Sequence, residues 1–114
     1  LVLMTPQEIA EKHINAVSAG DPVLMAADYA DDAILIRGSD TYFGKTEIYG
    51  YFKSVPERLG TAEVEFTNVE IKGNTIVFDW RISNSSANAS GQDHLVIANG
   101  LIVKQEVFLK ESDF

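Results

Sequence analysis

The stretch EVEFTNVEIKGNTIVFDWRI, residues 63–82, decides the fold. Val64 and Phe66 alternate with Glu63, Glu65 and Thr67, the period of two that marks a strand with one buried face. The apolar set then reappears at Val69 and Ile71, on odd numbers instead of even. One extra residue near Thr67-Asn68 accounts for the switch, so the pattern predicts a β-bulge there. Gly73-Asn74 reads as a tight turn, after which Ile76, Phe78, Trp80 and Ile82 form the inward face of the next strand.

Toward the C-terminus, Ser83 to Ser90 reads as a polar loop or a ragged strand end. Gly91 to Ala98 reads as another strand, Asn99-Gly100 as a hairpin turn, and Leu101 to Lys110 as the last strand. Toward the N-terminus the period changes to that of helices. Thr5-Pro6-Gln7-Glu8 has the form of a capping box, with Pro where its missing N–H costs nothing. Ile9, His13, Ala16, Val17 and Gly20 then share one helix face, ending near Ala19-Gly20. Asp21-Pro22 starts a second short helix, expected to run to Tyr29. Ala33 to Arg37 is a β-branched run read as a strand, Gly38-Ser39-Asp40 a loop, and Lys45 to Ser54 a third helix stopped by Pro56. Helices precede a long antiparallel meander, so the fold class is α+β, with the helices on one face of a curved sheet.

The chain has 114 residues, enough for a single domain spanning 1–114. Hydrophobic residues make up 46% and charged residues 23%, the mix of a globular protein. Nine Lys and Arg against 17 Asp and Glu give a net charge of −8. Nucleic acid and anionic membrane both need a positive footprint, so neither is an expected partner. The absence of Cys excludes disulfides, thiol nucleophiles and thiolate metal sites. Leu1-Val2-Leu3-Met4 is too short an apolar run for a signal-peptide core or a membrane span, and the expected compartment is the cytoplasm. The sequons Asn84-Ser85-Ser86 and Asn88-Ala89-Ser90 read as chance matches in a polar loop.

Ala19-Gly20-Asp21, Tyr29-Ala30-Asp31-Asp32-Ala33, the helix start Gly44-Lys45-Thr46-Glu47-Ile48 and the closing Asn99-Gly100-Leu101-Ile102-Val103 hairpin stand in an order that resembles one large family. From about Thr5 to Glu111 the chain is similar to the nuclear transport factor 2-like superfamily, in particular its SnoaL-like and ketosteroid-isomerase-like members. The resemblance implies a cone in which a bent sheet wraps the helices and leaves a pocket. It also implies a homodimer through the outer sheet face. It does not imply one activity, since isomerases, dehydratases, cyclases, epoxide hydrolases and non-catalytic binders share the fold.

Three polar residues stand on faces that such a cone would turn inward. Asp93 shares its strand face with Leu95 and Ile97. A carboxyl group among apolar neighbours is raised in pKa by desolvation, which makes it useful near neutral pH. His13 lies on the apolar face of the first helix, either as an acid, base or hydrogen-bond donor, or as a core histidine holding a backbone carbonyl. For Arg37 the alternation leaves the face open. Inside, it would clamp an anion or neutralise Asp93; outside, it is a solvated edge residue.

The resemblance to ketosteroid isomerase sharpens these roles. The oxyanion-hole carboxylic acid falls on Asp93, the first-helix tyrosine on His13, the general base on Arg37 and the third-helix tyrosine on Phe52. An arginine cannot act as that base, because its pKa stays above about 12. The expected protein is therefore not a ketosteroid isomerase. It is a cofactor-free isomerase, cyclase or dehydratase for a small polar or anionic molecule. Asp93 and His13 are the catalytic pair, and Arg37, Phe52, Trp80, Gln105 and Val107 the substrate contacts; Leu109 is expected in the same wall. The alternative is a non-catalytic ligand-binding or protein-association module with Asp93 and Arg37 as a buried ion pair. A ligand-ready pocket should exceed roughly 300 Å³, with Asp93 and His13 both facing it. Asp79 and Arg81 alternate with Trp80 and read as outward-facing, as does His94 relative to Asp93. No metal site is expected: Asp28, Asp31 and Asp32 lack binding-loop spacing, and only two His are present.

Overall fold

The Thr5 hydroxyl oxygen accepts from the Glu8 N–H at 3.2 Å, and the Glu8 carboxylate accepts from the Thr5 N–H at 3.0 Å. That closed capping box starts α1 (Pro6–Ala19) in the computed structural model, which describes residues 3–83 and 89–112. The helix ends at Gly20, in the left-handed region at φ 66°. Asp21 then caps α2 (Pro22–Ala26) by accepting from the Val23 and Leu24 N–H groups. A third helix, α3, spans Gly44–Leu59.

Among the described residues six strands form one sheet: β1 (Tyr29–Arg37), β2 (Asp40–Phe43), β3 (Glu63–Lys72), β4 (Thr75–Ser83), β5 (Ala89–Ala98) and β6 (Leu101–Ser112). Their order is β2-β1-β6-β5-β4-β3, antiparallel throughout except for the parallel β1–β6 pair. The β3–β4 register shifts between Phe66 and Asn68, at the predicted bulge. Two further shifts, at Ser90/Gly91 and Val96/Ile97, add bends between β5 and β6. Asn99 and Gly100 both take positive φ, 52° and 74°, as a tight two-residue hairpin turn requires. The result is an α+β cone. Ile9, Ala16, Ile48 and Phe52 of the helices pack with Ile76, Phe78, Leu95 and Ile102 of the sheet in one buried cluster.

Four elements differ from the sequence reading. One of them is β2 (Asp40–Phe43), which pairs with β1 where the sequence reading has Gly38-Ser39-Asp40 as a loop. The second helix stops at Ala26, and Tyr29 opens β1, because the Ile102 N–H bonds the Asp28 carbonyl at 2.8 Å and Tyr29 pairs with Ile102. That pairing is parallel, so the sheet is mixed rather than a pure meander. The third helix runs through Pro56 to Leu59. Buried Val55 and core-packed Leu59 lie on one face of that last turn and hold it to the core, against the hydrogen bond that proline forfeits. β5 begins at Ala89, while residues 84–88, which include most of the expected loop, all of the first sequon and Asn88 of the second, lie outside the described residues. Among the described residues no helix is long and apolar enough to cross a membrane.

Candidate functional site

Register alone brings three inward side chains together. Trp80 pairs with Gly91, Phe78 with Asp93, and Leu95 with Gln105, so Asp93 is diagonal to both Trp80 and Gln105. Trp80 Nε1 donates to Asp93 Oδ1 at 2.9 Å, and Gln105 Nε2 donates to Asp93 Oδ2 at 3.1 Å. Tyr29, at the start of β1, donates its hydroxyl to Gln105 Oε1. Both carboxylate oxygens are thus held by neutral donors, and one donor is itself anchored by a buried tyrosine.

Asp93 stands on the wall of a cavity of about 70 Å³. Trp80, Gln105 and Val107 join it from the sheet, and His13, Val17, Met25, Tyr51, Phe52 and Val55 close the helical side. Val17 and Val64 also line an outer recess of about 350 Å³ between the C-terminal ends of α1 and α3, so the two spaces meet at these valines. Asp93 is half-buried, with its carboxyl against the cavity. Burial pushes its pKa up to about 6; the Trp80 and Gln105 hydrogen bonds and, last in weight, the Arg37 charge pull the other way.

His13 is 5% exposed, stacked on Phe78 with ring centroids 5.9 Å apart and edge-on to Phe52 and Tyr29. Burial lowers its pKa to about 4, opposed by a hydrogen bond to the Met25 backbone. The imidazole is therefore neutral at pH 7. Burial also raises the hydroxyl pKa values of Tyr29 and Tyr51, so both stay protonated and can donate.

The profile of the SnoaL-like domain matches residues 10–105, more than four-fifths of the chain. The chain belongs to the SnoaL-like family. Solved structures similar to this SnoaL-like protein include a candidate ketosteroid isomerase from Kribbella flavida, with a TM-score of 0.82, 16% identity, and coverage of 96% of this chain and 80% of that one. A candidate polyketide cyclase from Sinorhizobium meliloti has a TM-score of 0.76 and 14% identity over 91% of this chain and 99% of that one. An NTF2-like protein of unknown function from Mesorhizobium loti has a TM-score of 0.82 and 13% identity over 96% and 99%. At these identities the likeness is one of fold, that of the nuclear transport factor 2-like superfamily. No curated protein matches the chain.

Six of the seven residues singled out from the sequence of this SnoaL-like protein line one cavity: Asp93, His13, Phe52, Trp80, Gln105 and Val107. Arg37 does not line it. It ends β1 on the same face as buried Leu35, paired with Val107, and acts on Asp93 and Tyr51 through its charge. Asp93 and His13 share the cavity without a hydrogen bond to each other, and Asp93 is satisfied by Trp80 and Gln105 instead of an ion pair with Arg37. Leu109 does not line the cavity: it is 37% exposed, although it pairs with Gly91 in the same register as Val107 with Asp93. The inner cavity, at about 70 Å³, is smaller than expected, and Phe52, Trp80 and Phe66 are among the bulky side chains that line it. Its lining is mainly apolar, which fits an uncharged molecule better than the expected polar or anionic one.

Tyr29 and Met25 were not anticipated. Tyr29 was hidden by its position at the edge of a helical pattern. On the outer sheet face, Arg81 pairs with Glu65 at 3.0 Å, Asp79 accepts from Gln92 at 2.8 Å, and His94 Nε2 meets Gln92 Oε1 at 2.7 Å. All three point away from the cavity, as their alternation requires.

Proposed function

We propose that this protein is a cofactor-free acid/base enzyme of the isomerase, cyclase or dehydratase kind. Its substrate is a small, mainly apolar molecule bearing a carbonyl or hydroxyl group. The observation that supports this most directly is Asp93, a carboxyl group held in place by two neutral donors on an apolar cavity wall. A pKa near 6 leaves both of its forms populated around neutral pH. As carboxylate, Asp93 takes a proton from the substrate; as carboxylic acid, it returns one. Neutral His13 and the Tyr51 hydroxyl supply polar contacts for the substrate oxygen from the opposite wall. The similar structures include a candidate polyketide cyclase and a candidate ketosteroid isomerase, both of which point to this reaction class.

The test is Asp93→Asn, assayed with a library of small carbonyl and hydroxy compounds. Loss of turnover with binding retained supports the reading. Unchanged turnover removes Asp93 from the mechanism. The small inner cavity favours a second reading, a non-catalytic binding module, under which neither form turns over any compound but both bind the same ones. We further propose that two copies pair through the outer sheet face, where Phe108 is 45% exposed. Phe108→Glu then gives a monomer in sedimentation, and a dimer that survives the change overturns the pairing.

A further inference from the structure

Gly91 lies in the interior of β5, where a glycine weakens the strand and calls for a reason. Its φ is not in the left-handed region, so backbone conformation is not that reason. Space is. A Cβ placed on Gly91 would stand 2.7 Å from Trp80 Cζ2, 3.0 Å from Trp80 Cε2 and 2.7 Å from the Phe108 carbonyl oxygen. Gly91 is also the direct ladder partner of Trp80. Trp80 Cε2 is bonded to Nε1, and Nε1 donates to Asp93 two residues further along β5. The indole therefore crosses β5 over the bare Cα of Gly91, and the edge carrying its N–H is the edge that occupies the missing side chain's place.

We infer that Gly91 is a positioning residue for the candidate acid/base group. By having no side chain, it lets the Trp80 indole lie flat across β5 and hold Asp93 Oδ1. The Phe108 carbonyl oxygen of the paired strand crowds the same place, and the register shift between Ser90 and Gly91 begins directly beside it. Gly91 touches no substrate; it acts through Trp80 on the direction and proton affinity of Asp93. The inference rests on the reading of Asp93 as the acid/base group. Its test needs no substrate, however, so failure of the enzymatic reading and failure of this inference are told apart.

Trp80 is the only tryptophan in the chain, so its indole N–H gives one resolvable ¹H–¹⁵N signal. In the unmodified protein that signal should shift with the titration of Asp93, near pH 6. In Gly91→Ala the methyl group displaces the indole and the shared inflection disappears. The Asp93 carboxyl ¹³C signal then titrates higher by about one pH unit, because a donor to the charged form is lost. An inflection that persists, with the Asp93 titration unmoved or lower, overturns the inference. Should Gly91→Ala fail to fold, Trp80→Phe and the double variant carry the test. Phe lacks the indole atoms that meet the new methyl group, so the double variant relieves that contact and keeps only the one with the Phe108 carbonyl; it folds if the indole is the decisive obstacle. If Trp80→Phe folds and the double variant does not, the Phe108 carbonyl is the obstacle and the inference fails.

Discussion

Gln105 Nε2 donates to Asp93 Oδ2 at 3.1 Å from the neighbouring strand, while the same carboxamide accepts from the Tyr29 hydroxyl through Oε1. A single side chain thus ties the first strand to the candidate acid/base group. Gln105 is only 2% exposed and Tyr29 1%, so water is poorly placed to substitute. In Gln105→Leu, a change of similar shape, two polar groups lose their partner, each at about 1–3 kcal/mol. The expected loss of stability is about 2–5 kcal/mol, with the Asp93 titration moved upward. Urea unfolding checks the first and carboxyl NMR the second. A loss below about 1 kcal/mol would show that the bridge is not needed for folding.

Arg37 acts on the site by charge from the end of β1. Its guanidinium favours the ionised forms of both Asp93 and Tyr51. Arg37→Gln keeps a polar side chain and removes the charge, so the Asp93 titration should move up by a few tenths of a pH unit, about the size expected for a partly screened charge. Arg37→Lys should keep the native value. Equal titrations in all three proteins would confine Arg37 to a structural role at the end of β1.

Val17 stands where the outer recess meets the inner cavity. Val17→Phe should narrow the passage without touching Asp93 or its donors. Quenching of Trp80 fluorescence by neutral acrylamide reads the passage directly, since no other tryptophan contributes. The quenching constant should fall by roughly half, because a packed wall admits the quencher only when side chains move. An unchanged constant would mean that small molecules reach Trp80 by another route.

How far the sequence went depended on whether a residue's environment was set locally. The bulge near Thr67-Asn68 was legible because a phase switch in an apolar pattern has one simple cause. Asp93 was legible for the same reason: Leu95 and Ile97 fix its face. Gln105 was assigned to the wall as a substrate contact, but its structural work depends on Tyr29, a residue 76 positions away that the helical pattern claimed for α2. Pro56 stops an isolated helix, yet here tertiary packing of Val55 and Leu59 carries the chain past it. The face of Arg37 stayed open until the parallel pairing with β6 set it beside Val107.

Asp93 and His13 give folding stability opposite dependences on pH. The Asp93 carboxyl holds its proton to about pH 6 in the folded protein, against 3.8 for the free group. The native state therefore binds more protons between those values, and stability falls as pH rises through them. Folded His13 stays neutral down to about pH 4, against 6.5 for the free group, so the unfolded chain binds more protons there and stability falls as pH drops. Each shift is worth about 3 kcal/mol at full extent, and the two slopes cancel across much of the range from 4 to 6. The unmodified protein should thus show little pH dependence from this pair. Asp93→Asn removes one slope: relative to the unmodified protein it should be more stable near pH 7 and lose that advantage by about pH 4. His13→Leu should do the reverse, with its relative stability improving on acidification. Urea midpoints at intervals from pH 4.5 to 7, taken as differences from the unmodified protein, cancel the contributions of surface carboxylates. A difference curve for Asp93→Asn that is flat across this range would show that the carboxyl is not desolvated.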